Sequence, residues 1–185
     1  MALDSIVLFI GVLIFLVLFY VAITYNNLIN LRTKIERSWA QIDVFLKRRY
    51  DLIPNLVETV KGYAKHERET LESVMKARAG LLEGSAEERG NATLATSKGM
   101  KTLFAVAENY PDLKANENFL KLQEELVATE NSISYVRISY NDSVLDFNTA
   151  LQTFPSSIIA NMFGFKQKEF FQAKAEEREA IKITM

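Results

Sequence analysis

Residues 6–23 read IVLFIGVLIFLVLFYVAI, eighteen positions without a charged side chain. A helix needs about 20 apolar residues to cross roughly 30 Å of hydrocarbon at 1.5 Å per residue. Ser5, Thr24 and Tyr25 fill out the ends of the run. Lipid offers the backbone no partners, so a single span of this kind is a helix. A cleaved signal peptide is the competing reading. It calls for a basic leader and a small-x-small cleavage site. The leader here carries Asp4 and neither Lys nor Arg, and no such site follows. A buried soluble helix would show a polar stripe, and this run has none. Residues 1–25 are therefore expected to be a retained membrane anchor, with Ile6, Leu8, Phe9, Leu13, Phe15, Leu18 and Ile23 meeting lipid. Arg32, Lys34 and Arg37 follow the run. Basic residues stay on the cytoplasmic side, which places a short N-terminus outside and the body in the cytoplasm.

Beyond the anchor the sequence predicts an all-α fold. Strand alternation is nearly absent, and Leu, Glu, Lys, Ala and Asn are abundant. Leu28, Leu31, Ile35, Trp39, Ile42 and Leu46 recur at threes and fours, which continues the anchor helix to about Tyr50. Pro54 predicts a break near 51–53, since proline disfavours helix at the preceding residue and suits a new first turn. A second helix then carries Leu56, Val57, Val60, Leu71, Val74 and Met75 and ends near Gly84. Residues 84–91 read as a connector, although Ser85 and Glu88 match a capping box. A third helix is expected from about Thr93 to Asn109, with Leu94, Met100, Leu103, Phe104 and Ala107 as its face. Tyr110-Pro111-Asp112 stops it.

The fourth helix has the most regular pattern. It starts after Asn116, a good N-cap, and ends before Pro155. Its stripe is Phe119, Leu122, Leu126, Thr129, Ile133, Val136, Tyr140, Val144, Phe147 and Leu151. Four amphipathic helices with short connections bury their stripes most simply as an antiparallel up-down four-helix bundle. That topology returns the chain to the bilayer after Thr153. The Phe-rich tail there holds Phe154, Ile158, Ile159, Met162, Phe163, Phe165, Phe170 and Phe171 beside Lys166 and Lys168. It reads either as a cover for the bundle end or an oligomer contact, or as an interfacial membrane segment. The domain plan is an anchor over 1–25, a helical body over 26–171 and a charged tail over 172–185.

Two separated stretches carry a family signature. Residues 25–67 read YNNLINLRTKIERSWAQIDVFLKRRYDLIPNLVETVKGYAKHE, and residues 139–165 read SYNDSVLDFNTALQTFPSSIIANMFGF. Both resemble the LemA family of bacterial membrane proteins, in the right order. The resemblance implies a bacterial inner-membrane protein with one anchor and a cytoplasmic helical bundle. It also implies a neighbouring membrane zinc metalloprotease as a partner, a role in the envelope, and no established enzymatic activity.

Composition and motifs agree with a non-enzyme. The net charge of −1 offers no basic field for nucleic acid. The chain has no cysteine and one histidine. A zinc-protease motif would need a second histidine at Thr70, and di-metal bundles need Glu-x-x-His from facing helices. His66 reads as a solvated helix residue. No cofactor or metal site is expected. Lys47, Arg48 and Arg49 form a basic cluster that reads as a contact for an acidic partner or as a cap for a helix dipole. Glu130 is expected beside Lys47 or Arg48, in a pair that fixes register. Tyr25, Asn26 and Asn27 with Tyr140, Asn141 and Asn148 suggest a polar layer near the bilayer. Three roles follow: a self-associating membrane scaffold, an adaptor for a membrane protease or other membrane protein, and a lipid-surface remodeller acting through the Phe-rich tail.

Overall fold

The computed structural model describes residues 2–64 and 66–171; the charged tail over 172–185 lies outside them. Among the described residues every regular element is helical. In order they are α1 (Ala2–Tyr63), α2 (Arg68–Ala79), α3 (Ala86–Ala107), α4 (Pro111–Lys114), α5 (Glu117–Gln152) and α6 (Ser156–Met162). The chain divides into two compact units. The first holds the N-terminal part up to Arg37 together with Asp142–Lys168. The second holds Ser38–Asn141 and the described residues from Glu169.

The expected break at Pro54 does not occur. α1 runs through it for 62 residues. Proline inside a helix removes the N–H that would reach the carbonyl four residues back, a loss of about 3 kcal/mol or more. Here that carbonyl is Tyr50 O, and Arg78 Nε on α2 donates to it at 2.7 Å. The guanidinium also lies 3.4 Å from the centroid of the Tyr50 ring. A side chain from the next helix thus replaces the donor that proline lacks. The chain turns later, over Ala64–Glu67, where Glu67 N–H reaches Ala64 O at 3.2 Å. Leu56, Val57 and Val60 accordingly belong to α1, while Leu71 and Val74 are the buried residues of α2.

α3 also starts earlier than its apolar spacing suggests, at Ala86 rather than near Thr93. Gly84 takes the left-handed conformation, φ +92°, which turns the chain. Ser85 then caps the helix. Its hydroxyl accepts from Glu88 N–H at 3.2 Å, and the Glu88 carboxylate accepts from Ser85 N–H at 2.7 Å. Both halves of the capping box are therefore made. The buried face of the early turns is small or polar: Ala86, Arg89, Ala92, Thr93 and Thr96. That explains why a search for apolar periodicity misses it. Close approach between α2 and α3 requires glycine. A Cβ at Gly99 would stand 2.6 Å from Val74 Cγ2, and one at Gly80 would stand 2.9 Å from Ala92 Cβ.

α5 follows its sequence closely. Asn116 Oδ1 accepts from Phe119 N–H at 3.0 Å, the N-cap bond. Leu126, Ile133, Val136, Val144 and Phe147 are buried at the spacing read from the stripe, and Leu122 is half-buried. Each fully buried Leu, Ile or Val contributes roughly 1.5–3 kcal/mol.

In the first unit, α6 ends in a Schellman motif. Phe165 N–H reaches Ala160 O at 3.0 Å and Gly164 N–H reaches Asn161 O at 3.2 Å, with Gly164 at φ +71°. Beyond it Asn148 grips the backbone of Lys168. Its Oδ1 accepts from Lys168 N–H and its Nδ2 donates to Lys168 O, both at 2.9 Å.

Replacing Arg78 with Leu is expected to destabilise the chain by about 1.5–3 kcal/mol, the range for hydrogen bonds to charged groups. In a Pro54→Ala background the same change is expected to cost under about 1 kcal/mol, because the alanine's own N–H then serves Tyr50 O. Urea unfolding of the four detergent-solubilised variants measures this coupling. Equal losses in both backgrounds would separate Arg78 from the proline.

Candidate functional site

The basic cluster on α1 is divided by the helix. Lys47, Arg48 and Arg49 point in three directions at 100° per residue, and only one can face the core. Lys47 is exposed and pairs with Asp51 at 2.5 Å, with its ammonium 5.4 Å from the Tyr50 ring centroid. Arg48 is exposed and reaches Glu125 at 3.5 Å. Arg49 is fully buried, so it is not part of an open surface for a partner.

Arg49 is instead the centre of a polar network within the second unit. Its Nη1 donates to Thr93 O at 3.3 Å and to Ser97 Oγ at 3.1 Å, both on α3. Its Nη2 lies against the Glu130 carboxylate on α5. Ser97 Oγ donates to the same carboxylate at 2.9 Å. Glu130 thus meets Arg49, where Lys47 or Arg48 was expected. One guanidinium ties α1, α3 and α5 together. Burial lowers the Arg49 pKa to about 10, so it stays protonated at neutral pH. The folded value lies below that of a free arginine. The unfolded chain therefore binds more protons between the two values, and this group makes stability rise with pH only in that alkaline window.

A second buried arginine escaped sequence reasoning. Arg89 on α3 donates to Leu81 O at 3.2 Å, to Leu82 O at 3.1 Å and to Asp43 Oδ1 at 2.6 Å. Its guanidinium sits 5.0 Å from the Trp39 ring centroid. It satisfies carbonyls of the turn that follows α2 and fastens that turn to α1 through Asp43. Its only sequence signal was its place one residue after a capping box.

The expected polar layer is a set of clamps on the extended segment after α6. In the second unit Asn141 grips Phe171, with Oδ1 accepting at 2.8 Å and Nδ2 donating at 3.3 Å. Tyr140 donates to Glu169 O at 2.9 Å. Burial, with the Glu169 charge beside it, raises the Tyr140 pKa above 10 and keeps the hydroxyl a donor. Asn148 does the same work on Lys168 in the first unit, where Tyr25 lies between Phe163 and Phe165. Asn26 and Asn27 are exposed.

The Phe-rich tail sorts into two classes. Ile159 and Phe171 are buried, the latter edge-on to Trp39 at 6.1 Å, and Phe165 and Phe170 are half-buried. Phe154, Ile158, Met162 and Phe163 are exposed. At its N-terminal end, α1 is long and apolar enough to cross a membrane. Its best window has a mean hydropathy of 3.2, and none of it is buried. Ile6, Leu8, Phe9, Leu13, Phe15, Leu18 and Ile23 are all exposed. His66 lies exposed in the turn between α1 and α2 rather than in a helix. Among the described residues no cluster of His, Cys, Asp and Glu has the make-up of a metal site. An open groove between α1 and α2 is lined by Val57, Glu58, Lys61, Leu71, Glu72 and Met75.

A sequence model of the LemA family matches residues 38–185. The chain belongs to the LemA family. Its LemA relatives include Protein LemA of Metamycoplasma hominis, 26% identical over 157 residues, covering 83% of this chain and 71% of the relative. Magnetosome protein MamQ of Magnetospirillum gryphiswaldense is 25% identical over 178 residues, covering 81% of this chain and 65% of the relative. Magnetosome protein MamQ 1 of Paramagnetospirillum magneticum matches to the same extent. The chain thus spans just under two thirds of the magnetosome proteins it resembles.

Breaking the internal pair at its more accessible end is expected to be costly. Glu130→Gln leaves the buried guanidinium without its counter-charge. The expected loss is about 2–3 kcal/mol, below the usual 3–5 for a fully buried pair because the Glu130 side chain is 35% exposed. Replacing both partners by Met should recover most of that loss. Thermal unfolding with a double-mutant cycle reads it, and a neutral Glu130→Gln would show the pair to be incidental.

Proposed function

We propose that this protein is a non-enzymatic scaffold of the bacterial inner membrane. On this reading the first helix spans the bilayer with the N-terminus outside. The helical body stands in the cytoplasm and self-associates, in service of the envelope. The observation that carries it is the contrast along α1. Residues such as Leu8 and Phe15 are widely exposed, whereas Ile42, Leu46 and Ile53 downstream are fully buried. A monomeric soluble protein leaves no such continuous apolar sleeve in water.

An up-down arrangement of the long helices is supported within the second unit by the pairing of α1 with α5. Trp39 packs on Tyr140 at 5.3 Å, and Arg49 meets Glu130. Moving ten residues forward on α1 moves ten back on α5, which is the signature of antiparallel neighbours. The buried arginines and the asparagine clamps described above bond groups of this same chain. This favours a role in holding and joining over one in catalysis.

Self-association is favoured by a patch on the second unit. Val44, Tyr135 and Ile138 are exposed, Tyr135 at 75%. Val44 and Tyr135 line a shallow groove with Gln41, Phe45, Asn131 and Ser132. An apolar centre with a polar rim is the composition of a protein contact. A neighbouring membrane protease is a partner consistent with the family resemblance, but the basic cluster is a poor candidate for its contact, because Arg49 is buried.

Light scattering on the full chain in mild detergent is expected to give a mass of more than one copy. Val44→Glu with Tyr135→Glu is expected to reduce it to one while leaving helicity and melting unchanged. A wild-type chain that stays monomeric at every concentration would remove the scaffold reading.

A further inference from the structure

Four large apolar side chains in the first unit lack cover: Phe154, Ile158, Met162 and Phe163, with Phe154 77% exposed. Ile158 and Met162 stand four residues apart and so share one side of α6. The other side, Ile159 and Ala160, is buried. The segment is held firmly. Gly164 closes α6 with its Schellman bonds, and Asn148 fixes Lys168 on both backbone groups. The exposed face is therefore built, not frayed.

Its level along α1 is set by Tyr25. The Tyr25 ring packs 4.8 Å from Phe163 and 5.9 Å from Phe165. Tyr25 lies two residues past Ile23, the last residue of the uncharged run, which is about 3 Å of helix rise. Just beyond it α1 becomes polar and exposed, at Asn26, Asn27 and Asn30. The outward apolar face thus stands where the apolar sleeve ends. Lys166 and Lys168 follow directly and are exposed. An apolar face flanked by lysines and aromatic rings at this level has the chemistry of the layer between acyl chains and head groups.

We propose that this face is seated in the interfacial layer of the bilayer, with Lys166 and Lys168 at anionic phospholipid head groups, so that the chain holds the membrane at two points. The proposal rests on reading the first helix as a membrane span. A lipid occupant fits better than a second copy because Tyr25, at the end of the apolar run, packs on Phe163, and two exposed lysines follow the face directly. It also fixes the rotation of the first unit about the anchor axis, which a single helix leaves free.

The natural chain has no cysteine, so single probes can be placed in the full-length protein. The probe positions are Ile158→Cys, Met162→Cys, Phe15→Cys and Arg37→Cys, each labelled with an environment-sensitive dye. Each protein is placed as one copy per nanodisc of phosphatidylcholine and phosphatidylglycerol, with or without spin-labelled lipid. A quencher near the head group is expected to lower emission at 158 and 162 at least twofold. A quencher deep in the acyl region is expected to do the same at 15, and neither should affect 37. Quenching at 15 with none at 158 and 162 overturns the interfacial seat and leaves the anchor standing. No quenching at 15 overturns the anchor itself, and the seat with it. Blue-shifted emission at 158 and 162 without quenching assigns the face to protein and also overturns the proposal. In a K166E/K168E variant the quenching at 158 is expected to fall at least twofold, and an unchanged value removes the two lysines from it.

Discussion

Proline at position 54 takes one donor out of a 62-residue helix, and the second unit is organised around restoring it. The Tyr50 carbonyl is part-buried, and an acceptor left unmet there costs up to about 1–3 kcal/mol. Arg78 supplies the bond, and to do so α2 must lie back along α1 with its last turn at Tyr50. That places Val74 against Gly99, and glycine there admits α3. A local defect in one helix thus fixes where the next is packed.

The interior that results is more polar than its helices suggest. Arg49 and Arg89 are both buried, and each bonds backbone carbonyls as well as a carboxylate. Such networks seldom add net stability over an apolar core of equal volume. What they supply is uniqueness, because a guanidinium with five fixed donors accepts few arrangements of its neighbours. Thr93 and Ser97 complete one network only if α3 holds a particular register against α1 and α5. For a protein read as a structural support, one fixed geometry matters more than a large melting free energy.

How much of this was legible in the sequence depended on which force wrote each feature. α5 was read almost to the residue, because a long stripe of Leu, Ile, Val and Phe records its burial and Asn116 records its cap. The exposed apolar run over residues 6–23 was legible from its lack of charge. The path of α1 past Pro54 was not, because the rule that proline ends a helix assumes no outside donor, and Arg78 lies 28 residues away from the carbonyl it serves. The start of α3 was half-read: Ser85 and Glu88 were recognised as a box, but the small and polar turns behind them hid the helix. At the basic cluster Glu130 was expected beside Lys47 or Arg48, and it meets Arg49. Charge alone does not say which of three adjacent cations points inward, and Ser97 and Thr93 gave no sign that they would solvate Arg49.

Three groups of exposed apolar side chains among the described residues have surroundings that argue for different neighbours. Along residues 6–23 nothing polar interrupts the surface but the Tyr20 hydroxyl, a composition that only hydrocarbon or a fully apolar partner tolerates. Beside α6 the apolar face ends in lysines and aromatic rings, a gradient matched by the edge of a bilayer. Around Val44, Tyr135 and Ile138 the apolar groups are interleaved with Gln41, Asn131 and Ser132. Hydrocarbon would offer the Gln41 and Asn131 amides no partners, at several kcal/mol each. Another protein surface can bond them while covering the apolar centre. The same residue types therefore point to lipid in the first unit and to protein in the second, and the deciding quantity is the number of polar groups that the neighbour must satisfy.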